Sequence, residues 1–214
     1  IDYPTNQWLS YGPWIAEPRQ SLDFSKVKIV IRRTQDRIFA ALDEKGYLNL
    51  NSTHNLITKD DSNLNLKYIL CILNSSLMHY IYSNLVPDEG RVFSEVKIVN
   101  LKKLPILTNS IEKQQPLIKM ADKMLKYNNN LQNEVKNFKH WIQKEFGVDK
   151  LSKKLDKYYE LSEEEFIDEL RKKKVDTKSR KNREYLEREF NESLKIVNPL
   201  LQKIKETDDE IDRM

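Results

Sequence analysis

The sequence predicts an α+β fold in which a small mixed β-sheet domain holding a buried helix precedes a helical domain with two long antiparallel, coiled-coil-like helices. Two observations carry this prediction. Charged residues occupy 24 of the first 110 positions and 46 of the remaining 104, and three of the four glycines, Gly12, Gly46 and Gly90, fall in the first part. The second part also carries apolar residues at three- and four-residue spacing over two long stretches, the signature of helical seams. Two domains follow as the expectation, 1–110 and 111–214.

In the first part, Trp8, Tyr11 and Trp14 flank the turn signal Gly12-Pro13, an arrangement open to core packing or to stacking on a base. Residues 26–50 form the organising stretch. Val27, Ile29 and Ile31 alternate along one strand and Ile38 to Leu42 make a second. Between the strands, Arg33-Thr34-Gln35-Asp36-Arg37 forms a polar tip. Asp43 to Gly46 reads as a turn, Tyr47 to Leu50 as a third strand, and Asn51-Ser52-Thr53-His54-Asn55 as a polar loop. Asn65 to Leu85 reads as one mostly buried helix, with His79 packed or capping and Cys71 a buried thiol. Val96 to Leu101 reads as a return to strand.

In the second part, Leu117, Met120, Met124, Tyr127, Leu131, Val135, Phe138 and Ile142 form one seam. Leu186, Phe190, Leu194, Val197, Leu201, Ile204, Asp208 and Ile211 form another. At ~1.5 Å per residue each rod reaches roughly 39 Å, and equal rods suit an antiparallel pair. Pro199 is expected to kink or split the second. Two shorter helices are expected between the rods, near 149–158 and 162–173, the latter opened by the capping box Ser162-x-x-Glu165.

The net charge of +4 excludes a histone-like polycation yet allows local basic patches. A single cysteine excludes a disulfide framework and fits a cytoplasmic protein. No apolar run approaches the ~18 residues of a membrane span. A chain that begins at Ile reads as a piece of something larger.

The three histidines, His54, His79 and His140, are scattered, so no zinc site is expected, and glycine-rich phosphate loops and GxSxG are absent. One enzyme-like string exists: Pro87-Asp88 and Glu95-Val96-Lys97 spell the PD…(D/E)xK of metal-dependent nucleases. There, carboxylates hold a divalent metal and a lysine assists the attacking water. A six-residue gap between Asp88 and Glu95 is tight for the hairpin that separates these groups.

Several segments taken in order resemble a known family. They are W-x5-W-x-A-E-P-R from Trp8, K-x-K-I-V-I-R-R-T from Lys26, R-I-F-A-A-L-D from Arg37, L-K-Y-I-L-C-I-L-N-S from Leu66 and L-K-K-L-P-I from Leu101. Together they resemble the TaqI-like C-terminal specificity domain, the target-recognition part of DNA adenine methyltransferases and of type IIG restriction–modification enzymes. Residues from Phe138-Lys139-His140-Trp141 through Glu145-Phe146-Gly147 to 207–212 are similar to the helical tail that follows it in those enzymes. The resemblance implies a reader of double-stranded DNA in a bacterial or archaeal cytoplasm, joined to an upstream methyltransferase domain of the same or a partner chain. That domain would bind S-adenosylmethionine, and magnesium would serve any cleavage domain of the parent enzyme.

The family's catalytic Asn/Asp-Pro-Pro-aromatic motif has no counterpart, since the only Asn-Pro, Asn198-Pro199, is followed by Leu200-Leu201. The fragment is therefore expected to have no catalytic residues, metal or cofactor of its own. Arg32, Arg33, Thr34, Gln35, Arg37, Asn51, Ser52, Thr53, His54 and Arg91 are the expected DNA-contacting residues, because Arg suits guanine and Asn or Gln suits adenine. Arg32 and Arg33 point to opposite faces if the strand continues. Lys172, Lys173, Lys174 and Arg180, within a run where eight of thirteen residues are basic, are phosphate-contact candidates or a solvated linker. Two alternatives stay open: a small metal-dependent nuclease built on Asp88, Glu95 and Lys97, and a coiled-coil scaffold that binds protein.

Overall fold

The computed structural model describes residues 26–35, 37–49, 51–86 and 95–214. The aromatic segment around Trp8 and Trp14, together with Asp88 and Arg91, lies outside them. Strands β1 (Lys28–Arg32), β2 (Ala40–Asp43) and β3 (Thr53–Leu56) form an antiparallel sheet in the order β2-β1-β3. Alternation along β1 buries Ile29 and Ile31 against α1 (Leu66–Asn74), and Ile38, Tyr68, Ile69, Leu70, Leu73, Met78, Tyr82 and Val96 join them in this core.

Of the strand expected at Tyr47 to Leu50, residues 47–49 form none, and Leu50 lies outside the described residues. Asp43 accepts the backbone N–H groups of Lys45, Gly46 and Tyr47, so the donors that a strand starting there would offer are consumed in a turn. The expected polar loop supplies β3 instead, on the opposite edge of β1, with Ile31 facing His54 and Arg32 facing Thr53. Asp43 also pairs with Lys28 across the strands at 2.6 Å, both side chains buried.

Residues 65–85 are two helices and not one. Asn74 spends its amide on Ala40, donating to its carbonyl and accepting its N–H, both at 3.0 Å. Ser75 then leaves helical geometry (ψ 152°) and its side chain caps α2 (Ser76–Leu85). Only the first of the pair is mostly buried. In α2, Leu77 and Tyr80 face outward and His79 is exposed and not packed in the core. Residues 96–101 also depart from strand. Val96 forms no strand and only donates its N–H to the carbonyl of Arg33, just past the end of β1, at 2.7 Å. Beyond it β1 has no further edge to offer, and the backbone satisfies itself in the single turn α3 (Ile98–Leu101).

Helix α4 (Ile111–Phe146) belongs to both halves of the molecule. Its first turns pack Leu117, Ile118 and Leu125 onto the sheet-side core. Gln114, fully buried there, accepts the Asn65 N–H and donates to the carbonyls of Asn63 and Asn109. The Cys71 thiol, buried as expected and pushed up to about 11 by that burial, donates to the Leu117 carbonyl. Farther along, Leu131, Phe138 and Ile142 enter a second core with Phe166, Leu186, Phe190 and Val197, where the Phe166 and Phe190 rings stack at 4.5 Å.

Helix α6 (Arg180–Arg213) returns along α4. Tyr127, Glu134 and Trp141 meet Lys203, Ser193 and Tyr185 in turn, so the two run antiparallel. It is not split at Pro199, which lies on the solvent face. Proline has no N–H for the Lys195 carbonyl one turn earlier, and both residues are exposed. A 3-10 segment (Lys153–Glu160) and α5 (Glu163–Lys172) bridge the long helices. The capping box is present, with Ser162 and Glu165 exchanging hydrogen bonds. At the other end Lys174 takes φ 64°, its N–H on Arg171, while the Val175 N–H reaches Leu170, a Schellman closure of α5. No helix among the described residues is long and apolar enough to cross a membrane.

Candidate nucleic-acid interface

Strand β1 ends at Arg32, where the chain must turn, and the residues that follow are held by backbone bonds from three directions. Arg32 N–H reaches the Phe39 carbonyl and Arg33 N–H the Ser52 carbonyl, each at 3.0 Å. The Arg33 carbonyl in turn accepts from Val96. This convergence places the start of the tip, the β3 entry and residues 95–96 at one edge of the sheet.

Arg32, the last residue of β1, and Arg33, just past it, border different depressions, with Thr53 reaching both. Arg33, Asn51, Thr53, His54 and Asn55 line a cavity of about 580 Å³ together with Ile31, Leu56, Leu73 and Leu101. On the other side Arg32, Thr34, Ser52 and Thr53 border a shallower depression with Val30, Phe39 and Ala41. Gln35 sits beside Arg32: with its amide turned so that the oxygen faces the guanidinium, it accepts from Nε and one terminal nitrogen at 3.3 and 3.0 Å. Arg37 lies over the Phe39 ring at 4.4 Å. The tip is thus not one surface: one group of expected residues surrounds Arg33 and another surrounds Arg32.

The Arg33 group is the more ordered electrostatically. Its Nε donates to the Glu95 carboxylate and one terminal nitrogen donates to the Asn51 carbonyl at 3.1 Å. The Arg33 hydrogen bond holds the Glu95 carboxyl below the usual carboxylate range, with Arg33, Lys97 and His54 charges acting in the same direction. His54 Nε2 donates to the Val96 carbonyl at 2.7 Å, which fixes the ring against the segment that carries Glu95. Asn49 and Asn55 bond to each other at 2.6 Å.

Glu95 therefore enters the site as the partner of Arg33. The sequence singled it out only as part of a nuclease-like string, because a contact spanning 62 residues has no local signature. Lys97 is exposed at the start of α3.

Lys172, Lys173, Lys174 and Arg180 are elsewhere. Lys172 pairs with Glu169 and Arg180 with Glu184, both at 2.7 Å, and Lys173 and Lys174 close α5. Along α4 the sheet side is marked by Asp122, which pairs with Lys67 of α1, and the basic side by Trp141, which meets Tyr185 near the start of α6. Nineteen residues separate these marks, roughly 29 Å at ~1.5 Å per residue.

Fold and site together define a small α+β platform with a polar, positively charged edge, carried on a helical arm. Residues 3–106 match the TaqI-like C-terminal specificity domain, so the resemblance drawn from the sequence stands. Residues 110–214 match a second family, a domain of unknown function (DUF8810). No curated protein and no solved structure matches the chain.

Proposed function

We propose that the chain is the part of a restriction–modification enzyme that reads a specific sequence in double-stranded DNA, with residues 1–110 as reader and 111–214 as helical support. The observation that carries the reading is the convergence of Arg33, Asn51, Thr53 and His54 at one sheet edge in a segment matching a specificity domain. Arginine presents two parallel donors to guanine O6 and N7, and asparagine presents a donor and an acceptor to adenine N6 and N7. Arg32 and Arg37, exposed on other faces of the tip, suit phosphates, which take at least half of protein–DNA hydrogen bonds.

On this reading the chain chooses a site and performs no chemistry. Methyl transfer from S-adenosylmethionine, and any magnesium-dependent cleavage, would belong to an upstream domain of the same or a partner chain, in the cytoplasm of a bacterium or archaeon. Glu95 favours the reader over the nuclease alternative, because its carboxylate is engaged by Arg33.

Fluorescence anisotropy with a labelled duplex tests the proposal. Binding in the micromolar range at low salt, falling linearly in log K against log salt, is expected of a protein that displaces phosphate counterions. A folded chain that binds no duplex at low salt would sink it.

A further inference from the structure

The Arg33–Glu95 pair is built unlike most ion pairs of the helical part. Arg180–Glu184, Arg183–Glu187 and Lys195–Glu192 are neighbours one helical turn apart, whereas Lys139–Asp156 is a longer-range pair between neighbouring helical segments. Arg33 and Glu95 come from segments 62 residues apart, clamped by the Val96 N–H on the Arg33 carbonyl and by His54 on the Val96 carbonyl. Such a pair is held in place by backbone at both ends.

The pair is also incompletely used. A guanidinium carries five N–H donors. Nε is spent on Glu95 and one terminal N–H on Asn51, and the other three make no hydrogen bond among the described residues. Glu95 accepts through Oε1, and its Oε2 makes none there either. Both side chains keep solvent access, at 42% and 35% of their surface. Fixed donors thus sit beside a fixed acceptor.

In the major groove a G·C pair presents acceptors, guanine O6 and N7, beside a donor, the cytosine N4 amino group. No other pair offers two acceptors on one base next to an amino donor on its partner. We infer that Arg33 and Glu95 read one G·C pair as a unit, Arg33 donating to the guanine and Glu95 accepting from cytosine N4. Glu95 is thereby a specificity residue and not only a brace for Arg33. The inference rests on the DNA-reading function proposed above.

Selection of the 214-residue chain on a randomised duplex pool, followed by binding of defined duplexes, tests it. The wild-type chain is expected to enrich a site with an invariant G·C position. There, 7-deazaguanine, which lacks N7, and N4-methylcytosine, which fills the groove side of the amino group, should each weaken binding roughly 5- to 150-fold. Arg33→Ala should abolish the 7-deazaguanine penalty. Glu95→Ala should abolish the N4-methylcytosine penalty at the same pair, which a mere brace would not do.

If N4-methylation costs Glu95→Ala as much as it costs wild type, or if the two variants relax different positions, the pairwise reading is wrong while sequence-specific binding stands. A pool that yields no preferred position overturns the DNA-reading function, and this inference with it.

Discussion

Asp212, in the last turn of α6, accepts the backbone N–H of Ser76, the first residue of α2, at 2.9 Å. The contact spans 136 residues and ties the end of the helical arm to the sheet-side core. A helix N-terminus carries unsatisfied N–H groups and a positive dipole end, so a carboxylate there is favourable.

Asp212→Ala should therefore lower stability by about 0.5–1 kcal/mol. The neighbouring charges act against this loss, because burial and then the Asp212 and Asp209 charges already push the Asp208 carboxyl up. Asp209→Ala, which removes an exposed charge and no cap, should change stability by less than about 0.5 kcal/mol. Urea unfolding of the two variants decides: equal midpoints would show that the cap contributes nothing.

The buried Lys28–Asp43 pair makes a larger prediction. Lys28→Ala leaves a carboxylate without its charge partner and should cost about 3–5 kcal/mol. Burial alone would raise the Asp43 carboxyl, but the Lys28 hydrogen bond and the N–H groups of Lys45 and Tyr47 bring it below its ordinary value of 3.8. A carboxyl lowered in the folded state stabilises above its unfolded pKa and loses that stabilisation as pH falls through the folded one. Melting temperature should thus drop below about pH 4 more steeply in wild type than in Asp43→Asn. Parallel curves for the two proteins would remove Asp43 from the acid response.

Base readers and phosphate contacts separate by substitution at the tip. On the selected site Arg33→Ala should cost about 1–3 kcal/mol and on random duplex little. Arg32→Ala should weaken both alike and lower the salt slope by roughly one. With its amide oxygen turned toward Arg32, Gln35 holds that guanidinium, so the effect of Gln35→Ala should follow Arg32→Ala. A Gln35→Ala loss confined to the selected site would instead make Gln35 a reader.

The basic run gives a fourth test. Lys172 and Arg180 already have carboxylate partners, and the run lies far along α4 from the sheet. Replacing Lys172, Lys173, Lys174 and Arg180 by alanine should therefore reduce the log K against log salt slope by less than about one. A fall of roughly 2–3 would mean that the duplex extends along the arm to this end.

Periodic signals transferred well from sequence to structure. The alternation of Ile29 and Ile31, the seams through Phe138 and Phe190, and the Ser162 capping box all correspond to observed strands, helices and a cap. What failed was decided by side-chain contacts, local in one case and distant in the others. β3 replaces the expected strand at 47–50 because Asp43 claims the donors of its turn. The helix break at Ser75 depends on Asn74 reaching Ala40 of β2. Pro199 leaves α6 whole because it falls on the water side, a fact fixed by packing against α4. In the site, Arg33 was legible as a charge at a hairpin tip, whereas its carboxylate partner depended on how residues 95–96 thread past β1.

Helix α4 runs without a break from the core that holds Gln114 to the core that holds Phe138, and α6 is tied to α4 through Trp141 and Tyr185 and to α2 through Asp212 and Ser76. Two cores that share a continuous helix are coupled, because fraying one shortens the helix on which the other is built. Unfolding should accordingly be cooperative across the whole chain, with sheet-side and arm-side probes reporting one transition. Any force applied to the arm by an attached domain would then be transmitted to the reading edge as a rotation of a single rigid piece, with little lost to bending between the halves.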